Sequence, residues 1–463
     1  MSNKQRLYFL DVGQGMCTYL EEYDDGDIVA NVLFDLGSTK SKRRAGTPTV
    51  EFLVERIKER DWTGDEGTLD VVFISHKDAD HVNLLWSLLD ALPKMMIGEV
   101  HHSGRYEWYT SAKGNILTAL GKRTANPKTC VRNFSIGASS FYKRPWPAVW
   151  TSDYKAGAYV IAVNTSDSTD NIGKHVEHVY SSALPNGDLA NSTSLGIYLK
   201  MYDVGAVIFG DATFSTFQFT NQLFLADSIV LDQSFALQAP HHGSRLTTFG
   251  LKSTDGAISL EAAKVVDTFA ALAHGATVIV SADTSHCHPS LETIGTFVKY
   301  ADATSAWWSD PNITPYHFAS AYFDLPRSST LAAPNANYTF QTQKNFYTTL
   351  YYGLNTTKWD FSYPPMVAAT APTVPSSEGM NWMYEVNENS KVSPTNIPLV
   401  GISSNRLPKT KASLDALFVE AHAVRARQQA ETVAPAPQAP PHAGGARPPA
   451  TAQVQLRRLK ARP

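Results

Sequence analysis

The sequence predicts an α/β protein with layered sheets, and three observations carry that reading. The first strands form a meander joined by Gly and Asp turns, and later strands alternate with segments of helical spacing. Apolar residues make up 43% of the chain against 18% charged, enough to bury a core. A length of 463 residues fits two or three structural units, or one large domain with additions.

Leu7 to Asp11 reads as a buried strand ending in Val12-Gly13-Gln14-Gly15. Met16 to Leu20 follows as a second strand, and Ile28 to Asp35 as a third after the turn Asp24-Asp25-Gly26-Asp27. Val50, Leu53, Val54 and Ile57 fall at helical spacing, Leu69 to Ser75 is a β-branched strand, and Asn83 to Leu92 is helical again. Val204 to Gly210 and Ala276 to Ser281 are further strands. Residues 1–302 therefore carry the main domain, with about 103–184, rich in Ser, Thr, Asn and aromatics, an insertion or elaborated region. Residues 303–408 read as an aromatic, Pro-rich extension packed on the core, with strand-like pieces at Tyr338 to Gln343 and Phe346 to Tyr352. Residues 409–430 form an amphipathic helix, and 431–463 a disordered basic tail rich in Pro and Ala. No internal repeat is visible.

The N-terminus shows no signal-peptide pattern, and no stretch approaches the roughly 18–20 apolar residues of a spanning helix. Cys17, Cys130 and Cys287 are too few and scattered for a disulfide framework. A cytoplasmic protein is expected. The formal net charge of −3 argues against a uniformly basic nucleic-acid binder. It conceals a gradient: from Ala421 onward there are seven basic residues against Glu431 alone, so a tail of about +6 follows a body of about −9. Such a tail can hold a phosphate backbone or a protein partner, although runs of this kind are usually just solvated.

The strongest chemical signal is Ser75-His76-Lys77-Asp78-Ala79-Asp80-His81, directly after a buried strand. Four ligand-type side chains within six residues, on a tight turn anchored by a strand end, suit a divalent ion such as zinc, manganese or iron. Asp211 ends the strand Gly205 to Gly210, a position from which a carboxylate can bridge two metals. His241-His242-Gly243-Ser244 follows another apolar stretch, and Ser285-His286-Cys287-His288-Pro289-Ser290 follows the strand around Val278. The last fits no structural zinc spacing.

In this order the pieces resemble the metallo-β-lactamase fold superfamily, and within it the soluble hydrolase domain of ComEC-type DNA-uptake proteins. The landmarks are Phe9 to Gly15, Leu33 to Gly37, His76 to His81, Asn191-Ser192-Thr193-Ser194, Gly210-Asp211, His241 to Ser244 and the His-Pro-Ser at His288, spanning about 60% of the chain. The resemblance implies a four-layer αβ/βα sandwich with an insertion, and two divalent metal ions, zinc or manganese, at the sheet edge. His76 and Asp78 would bind one, Asp80 and His81 the other, with Asp211 between them and His241 favoured to complete the second group. Asp78 stands where most of the superfamily has histidine, which makes manganese as plausible as zinc. Met16 stands where the branch usually has Asp, and the superfamily's further histidine has no clear counterpart. His102, His175 and His178 are assigned packing or surface roles instead.

The activity implied is that of a metal-dependent hydrolase, a phosphodiesterase or nuclease in which two divalent ions activate a shared water. Asp80 or Asp211 would orient the nucleophile, His241, His242 or Ser244 would serve the leaving group, and His288 would contact substrate. The substrate expected is a phosphodiester, DNA or RNA included; a small diester, such as a cyclic nucleotide or a phospholipid head group, and a non-catalytic scaffold are the alternatives. Tyr106, Trp108 and Tyr109 beside Arg105 are placed to stack on bases, with packing the more ordinary role.

Overall fold

A computed structural model describes residues 3–10, 12, 14–38, 46–60, 67–126, 131–133, 148–165, 187–226, 231, 234–252, 258–273, 277–281, 293, 296–297, 316–318 and 381–397. The first strands in the chain are β1 (Lys4–Phe9), β2 (Thr18–Asp24), β3 (Asp27–Phe34), β4 (Thr68–Ile74) and β5 (Met96–His102). A short pair follows, β6 (Thr110–Ser111) and β7 (Gly114–Asn115), and then β8 (Val131–Asn133), β9 (Ala148–Thr151) and β10 (Ala156–Ala162). Next come β11 (Gly196–Met201), β12 (Val204–Phe209), β13 (Ser234–Gln238) and β14 (Thr277–Val280). The last are β15 (Tyr316–Phe318), β16 (Asn381–Asn387) and β17 (Val392–Ile397). The helices are α1 (Gly46–Glu59), α2 (Ala79–Val82), α3 (Leu85–Ala91), α4 (Ile116–Gly121), α5 (Gly187–Ser192), α6 (Phe214–Ala226), α7 (Arg245–Thr248) and α8 (Leu260–Leu272).

Two large sheets result, in the orders β17-β16-β1-β2-β3-β4-β5-β8 and β15-β14-β13-β12-β11-β10-β9. Both are built alike. In the first, antiparallel pairing runs to β3, and β3, β4, β5 and β8 are parallel. In the second, β9 to β12 are antiparallel, and β12 to β15 are parallel. The sequence shows no repeat, yet the topology repeats.

Alternation along the strands explains the layers, because successive side chains leave a strand on opposite faces. Leu7 and Phe9 of β1 join a core with Val71, Phe73, Ile197, Leu199, Ile208 and Ile279 between the sheets. Tyr8, with Leu69, Val72 and Ile74 of β4, packs on the other face against Leu53 and Ile57 of α1 and Leu85, Leu88 and Leu89 of α3. β4 is buried on both faces, which is why it reads as an unbroken apolar run. Beyond the second sheet, Phe217 of α6 and Phe269 of α8 lie 4.6 Å apart, and Phe209 of β12 meets Phe269 edge-on. The result is helix, sheet, sheet, helix: the αβ/βα sandwich.

The region around 103–184 contributes β8 to the first sheet and β9 and β10 to the second. From the extension, the hairpin β16-β17 continues the first sheet beyond β1, in register Phe9↔Trp382 and Lys4↔Asn387. Tyr384 of β16 is fully buried, edge-on to Phe9 and 5.4 Å from Phe235. The strand-like pieces at 338–343 and 346–352, the 409–430 helix, the basic tail, His175, His178, Cys130, Cys287 and His288 lie outside the described residues. No described helix is long and apolar enough to cross a membrane.

Candidate metal centre

The motif residues meet at the C-terminal ends of β4, β12 and β13. β4 stops at Ile74; Ser75 and His76 continue from it, and α2 carries Asp80 and His81. This turn is pressed against Leu36-Gly37. A Cβ on Gly37 would lie 2.3 Å from the Asp80 carbonyl carbon, so only glycine fits. Leu36 N donates to His81 O (2.9 Å) and Met16 N to Asp80 O (3.1 Å), fixing the motif backbone from the meander side. Met16 sends its side chain into the core between the sheets. Gly210, before Asp211, is required for a similar reason, since a Cβ there would lie 2.3 Å from Ser75 Oγ.

His241 (φ 47°, ψ 48°) and His242 (φ 54°, ψ 20°) both adopt the left-handed conformation, followed by Gly243 at φ 78°. Two non-glycine residues there cost about 1–3 kcal/mol each and persist only where the surroundings enforce them. Their rings stand at 79° to each other and reach different oxygens of Asp211. His241 Nε2 is 3.4 Å from Asp211 Oδ2, and His242 Nε2 is 3.5 Å from Oδ1.

Two groups form around this carboxylate. On the Oδ1 side are His81 Nε2 at 3.0 Å, His242 Nε2, and Asp80, whose Oδ2 is 3.4 Å from His242 Nε2. Ligand atoms of Asp80, His81, Asp211 and His242 all lie within 4.8 Å of one another. On the Oδ2 side are His76 Nε2 at 3.7 Å and His241; Asp78 Oδ2 is 3.6 Å from His76 Nε2. The sequence-based preference is therefore reversed. His242, not His241, stands with Asp80 and His81, because the left-handed turn swings consecutive imidazoles to opposite sides of Asp211. His242, expected at the leaving group, is thereby drawn into the ligand-type tetrad.

The histidines are held by the far side of their rings. His81 Nδ1 donates to Asp35 Oδ2 (2.8 Å) and His242 Nδ1 to Ser281 O (2.6 Å). Ser75 Oγ gives its only hydrogen to Asp35 Oδ2 (2.6 Å), so it accepts from His76 Nδ1 (3.0 Å). Each Nε2 lone pair is thus turned inward, the arrangement metal-binding histidines require. His76 Nε2, His81 Nε2 and Asp211 Oδ1 are buried and make no hydrogen bond. Buried polar atoms left that way cost stability unless something else satisfies them. Converging imidazole and carboxylate donors fit a divalent cation.

Electrostatics agree with a site short of positive charge. Burial raises the Asp211 carboxyl, but His241, His81 and His242 outweigh it and hold it well below the usual range. Asp80 and Asp78 are likewise held low against burial, the first chiefly by His242 and His81, the second by His76 and Lys77. Burial lowers His81, but Asp211 and Asp35 raise it well above the ordinary imidazole value. His242 is also raised, against burial, by Asp211 and Asp80, whereas burial dominates at His241 and lowers it.

Asp35 is the functional residue that sequence reasoning overlooked. It is fully buried at φ 51° and takes Ser75 N (2.7 Å) as well as Ser75 Oγ and His81. The available signal was a carboxylate ending a buried strand, the same cue that singled out Asp211. Ser244 is buried beside the histidine turn; its amide donates to His241 O (2.8 Å) and its carbonyl receives Thr248 N (3.2 Å). His102 packs edge-on to Tyr109 and donates from Nδ1 to Ser103 O; burial pulls it down to about 4. Trp108 and Tyr109 are buried, and Tyr106 is 41% exposed.

No protein-family model and no curated protein matches the chain. Among solved structures it is similar to the metallo-β-lactamase fold protein YhfI from Bacillus subtilis, at 11% identity and TM-score 0.29, over 60% of this chain and 85% of that one. It is also similar to CmlA, a diiron β-hydroxylase from Streptomyces venezuelae, at 11% identity and TM-score 0.32, over 64% of this chain and 51% of that one. A third is human tRNase Z, short form, at 12% identity and TM-score 0.30, over 60% and 92%. For a mutant of the same β-hydroxylase the matched part is 35% of that chain. Alignments this distant say nothing of this chain's chemistry; the fold rests on the sheet orders and layers. The chain has a metallo-β-lactamase-type αβ/βα sandwich, and at its strand ends a buried Asp80, His81, Asp211 and His242 tetrad able to hold a metal ion.

Proposed function

We propose that the protein is a metal-dependent phosphodiesterase whose imidazoles and carboxylates around Asp211 would hold two divalent cations, zinc or manganese. The observation that carries this reading is the division of the donors into His76, Asp78 and His241 at Oδ2, and Asp80, His81 and His242 at Oδ1. Bound divalent ions supply a water-derived nucleophile at neutral pH and neutralise charge on phosphoryl oxygens. The chain's own residues do the rest. Asp80 is the tetrad member most open to solvent, and we assign it to orient the attacking water by accepting its hydrogen. Asp35 and Ser281 keep His81 and His242 in the tautomer whose Nε2 faces inward. Ser244 closes the histidine turn, and its hydroxyl is assigned to the leaving-group side.

The ComEC-type resemblance of the ordered landmarks supports a nucleic-acid substrate over other esters. The test is a panel of single-stranded DNA, RNA and small diesters, run with the metal-loaded full chain and with Asp211→Asn. We expect the wild-type chain to take up about two equivalents of metal and cleave nucleic acid, and Asp211→Asn to lose at least 100-fold in rate with most of its metal. Turnover of small diesters alone would assign the narrower substrate. An Asp211→Asn variant with full activity would overturn the reading.

A further inference from the structure

Among the described residues of the centre, the inner side chains are buried and the others are partly exposed. His76, His81 and His242 have fully buried side chains, and Asp211 is 4% exposed. Among the described residues, the more open side chains here are Asp78 at 27%, Asp80 at 15% and His241 at 16%, and beside Asp78 stands Lys77 at 25%. The charge of those two carboxylates alone opposes an anionic substrate, and any positive charge beside them offsets it. The Lys77 ammonium is such a charge. It donates to Asp78 Oδ1 at 2.5 Å, while Asp78 Oδ2 faces His76 Nε2 and the centre.

One hydrogen of three is used in that contact, and among the described residues Asp78 is the ammonium's partner. A lysine ammonium is a compact point charge with three rotatable donors, suited to phosphate oxygens that need no fixed fork. The contrast with the buried carboxylate Glu21 is instructive. Glu21 takes Arg56 at 2.6 and 2.9 Å and the hydroxyls of Tyr8 and Tyr23, which satisfies both of its oxygens. Lys77 instead holds a partly exposed carboxylate by the oxygen that does not face His76 Nε2, and is itself 25% exposed.

We propose that Lys77 is the substrate-anion receptor of this centre: it clamps Asp78 through Oδ1, leaving Oδ2 to the metal side, and donates its other hydrogens to the phosphoryl oxygens of the incoming substrate. The proposal rests on the metal-dependent reading of the site and adds to it the residue that selects an anionic substrate. No covalent step involves Lys77.

The test uses the full chain equilibrated with Mn2+, and compares wild type, Lys77→Met and Lys77→Arg. Methionine keeps the length of the stem, so the packing survives, and arginine keeps the charge. Mn2+ affinity and the affinity for inorganic phosphate are measured by calorimetry, and KM and kcat on the best diester of the panel. We expect Lys77→Met to weaken phosphate about tenfold or more and to raise KM by a similar factor, with kcat within about threefold. Mn2+ affinity is expected to be equal or tighter, because a neighbouring positive charge is gone. Lys77→Arg should recover phosphate binding to within about threefold.

Unchanged phosphate affinity in Lys77→Met overturns the proposal. So does a loss of Mn2+ and kcat with KM unchanged, which would make Lys77 a support for Asp78 only. Failure of the underlying reading looks different: wild type then takes up no Mn2+ or cleaves no diester. In that case the phosphate titration on the metal-free chain still decides, and loss of binding in Lys77→Met with rescue in Lys77→Arg is again required.

Discussion

At the residue scale the centre depends on groups that touch no substrate. Asp35 joins His81 Nδ1, Ser75 Oγ and Ser75 N in one buried set, and through Ser75 it also sets the ring of His76. One carboxylate therefore orients histidines on both sides of Asp211. Replacing Asp35 with Asn keeps the shape but presents an amide where His81 needs a charged acceptor. We expect Asp35→Asn to lower metal affinity by about 10–100-fold while the far-ultraviolet circular dichroism stays native; calorimetry with Mn2+ or Zn2+ checks it. Undiminished affinity would show that backbone geometry alone directs the ring.

At the scale of elements, all the chemistry hangs from strand ends. β4 delivers His76 and the α2 turn, β12 delivers Asp211, β13 delivers His241 and His242, and β14 is followed by Ser281, whose carbonyl holds His242. Parallel strands bring their C-terminal ends to one edge, so residues far apart in sequence meet there. The hairpin β16-β17 acts differently, by covering the edge strand β1 and inserting Tyr384 against Phe9 and Phe235. Tyr384→Ala should cost about 3–5 kcal/mol in urea unfolding, the range for removing a large buried aromatic. A cost below about 1 kcal/mol would mean that residues 381–397 are dispensable to the sandwich.

At the scale of the whole molecule, the centre joins the two sheets. Asp78, Asp80 and His81 follow β4 of the first sheet, whereas Asp211 and His242 follow β12 and β13 of the second. A cation bound by both sets holds the sheets together and is released when they separate. Metal should therefore stabilise the protein by linkage, about 2.7 kcal/mol at a free concentration 100 times Kd. A rise in thermal midpoint with added Mn2+ or Zn2+, reversed by chelator and absent in Asp211→Asn, is the expected outcome. A midpoint indifferent to metal would mean that the folded chain binds no ion in preference to the unfolded one.

Much of this was legible in the chain itself. Short apolar runs bounded by Gly and Asp turns announced the strands, the β-branched run Leu69 to Ser75 announced a buried strand, and the ligand types clustered in His76 to His81 announced a cation. The repeated topology of the two sheets was hidden, since pairing order follows from long-range packing and leaves no local period. Asp35 was hidden as well, because a carboxylate's value depends on what the fold sets opposite it. The sequence by itself determined which residues have metal-binding chemistry and which strand ends carry them. Only the tertiary structure decided that His242 joins Asp80 and His81 while His241 turns to the other oxygen of Asp211. Adjacent histidines are equivalent in a sequence, and a left-handed backbone turn, enforced by the packed surroundings, is what separates them.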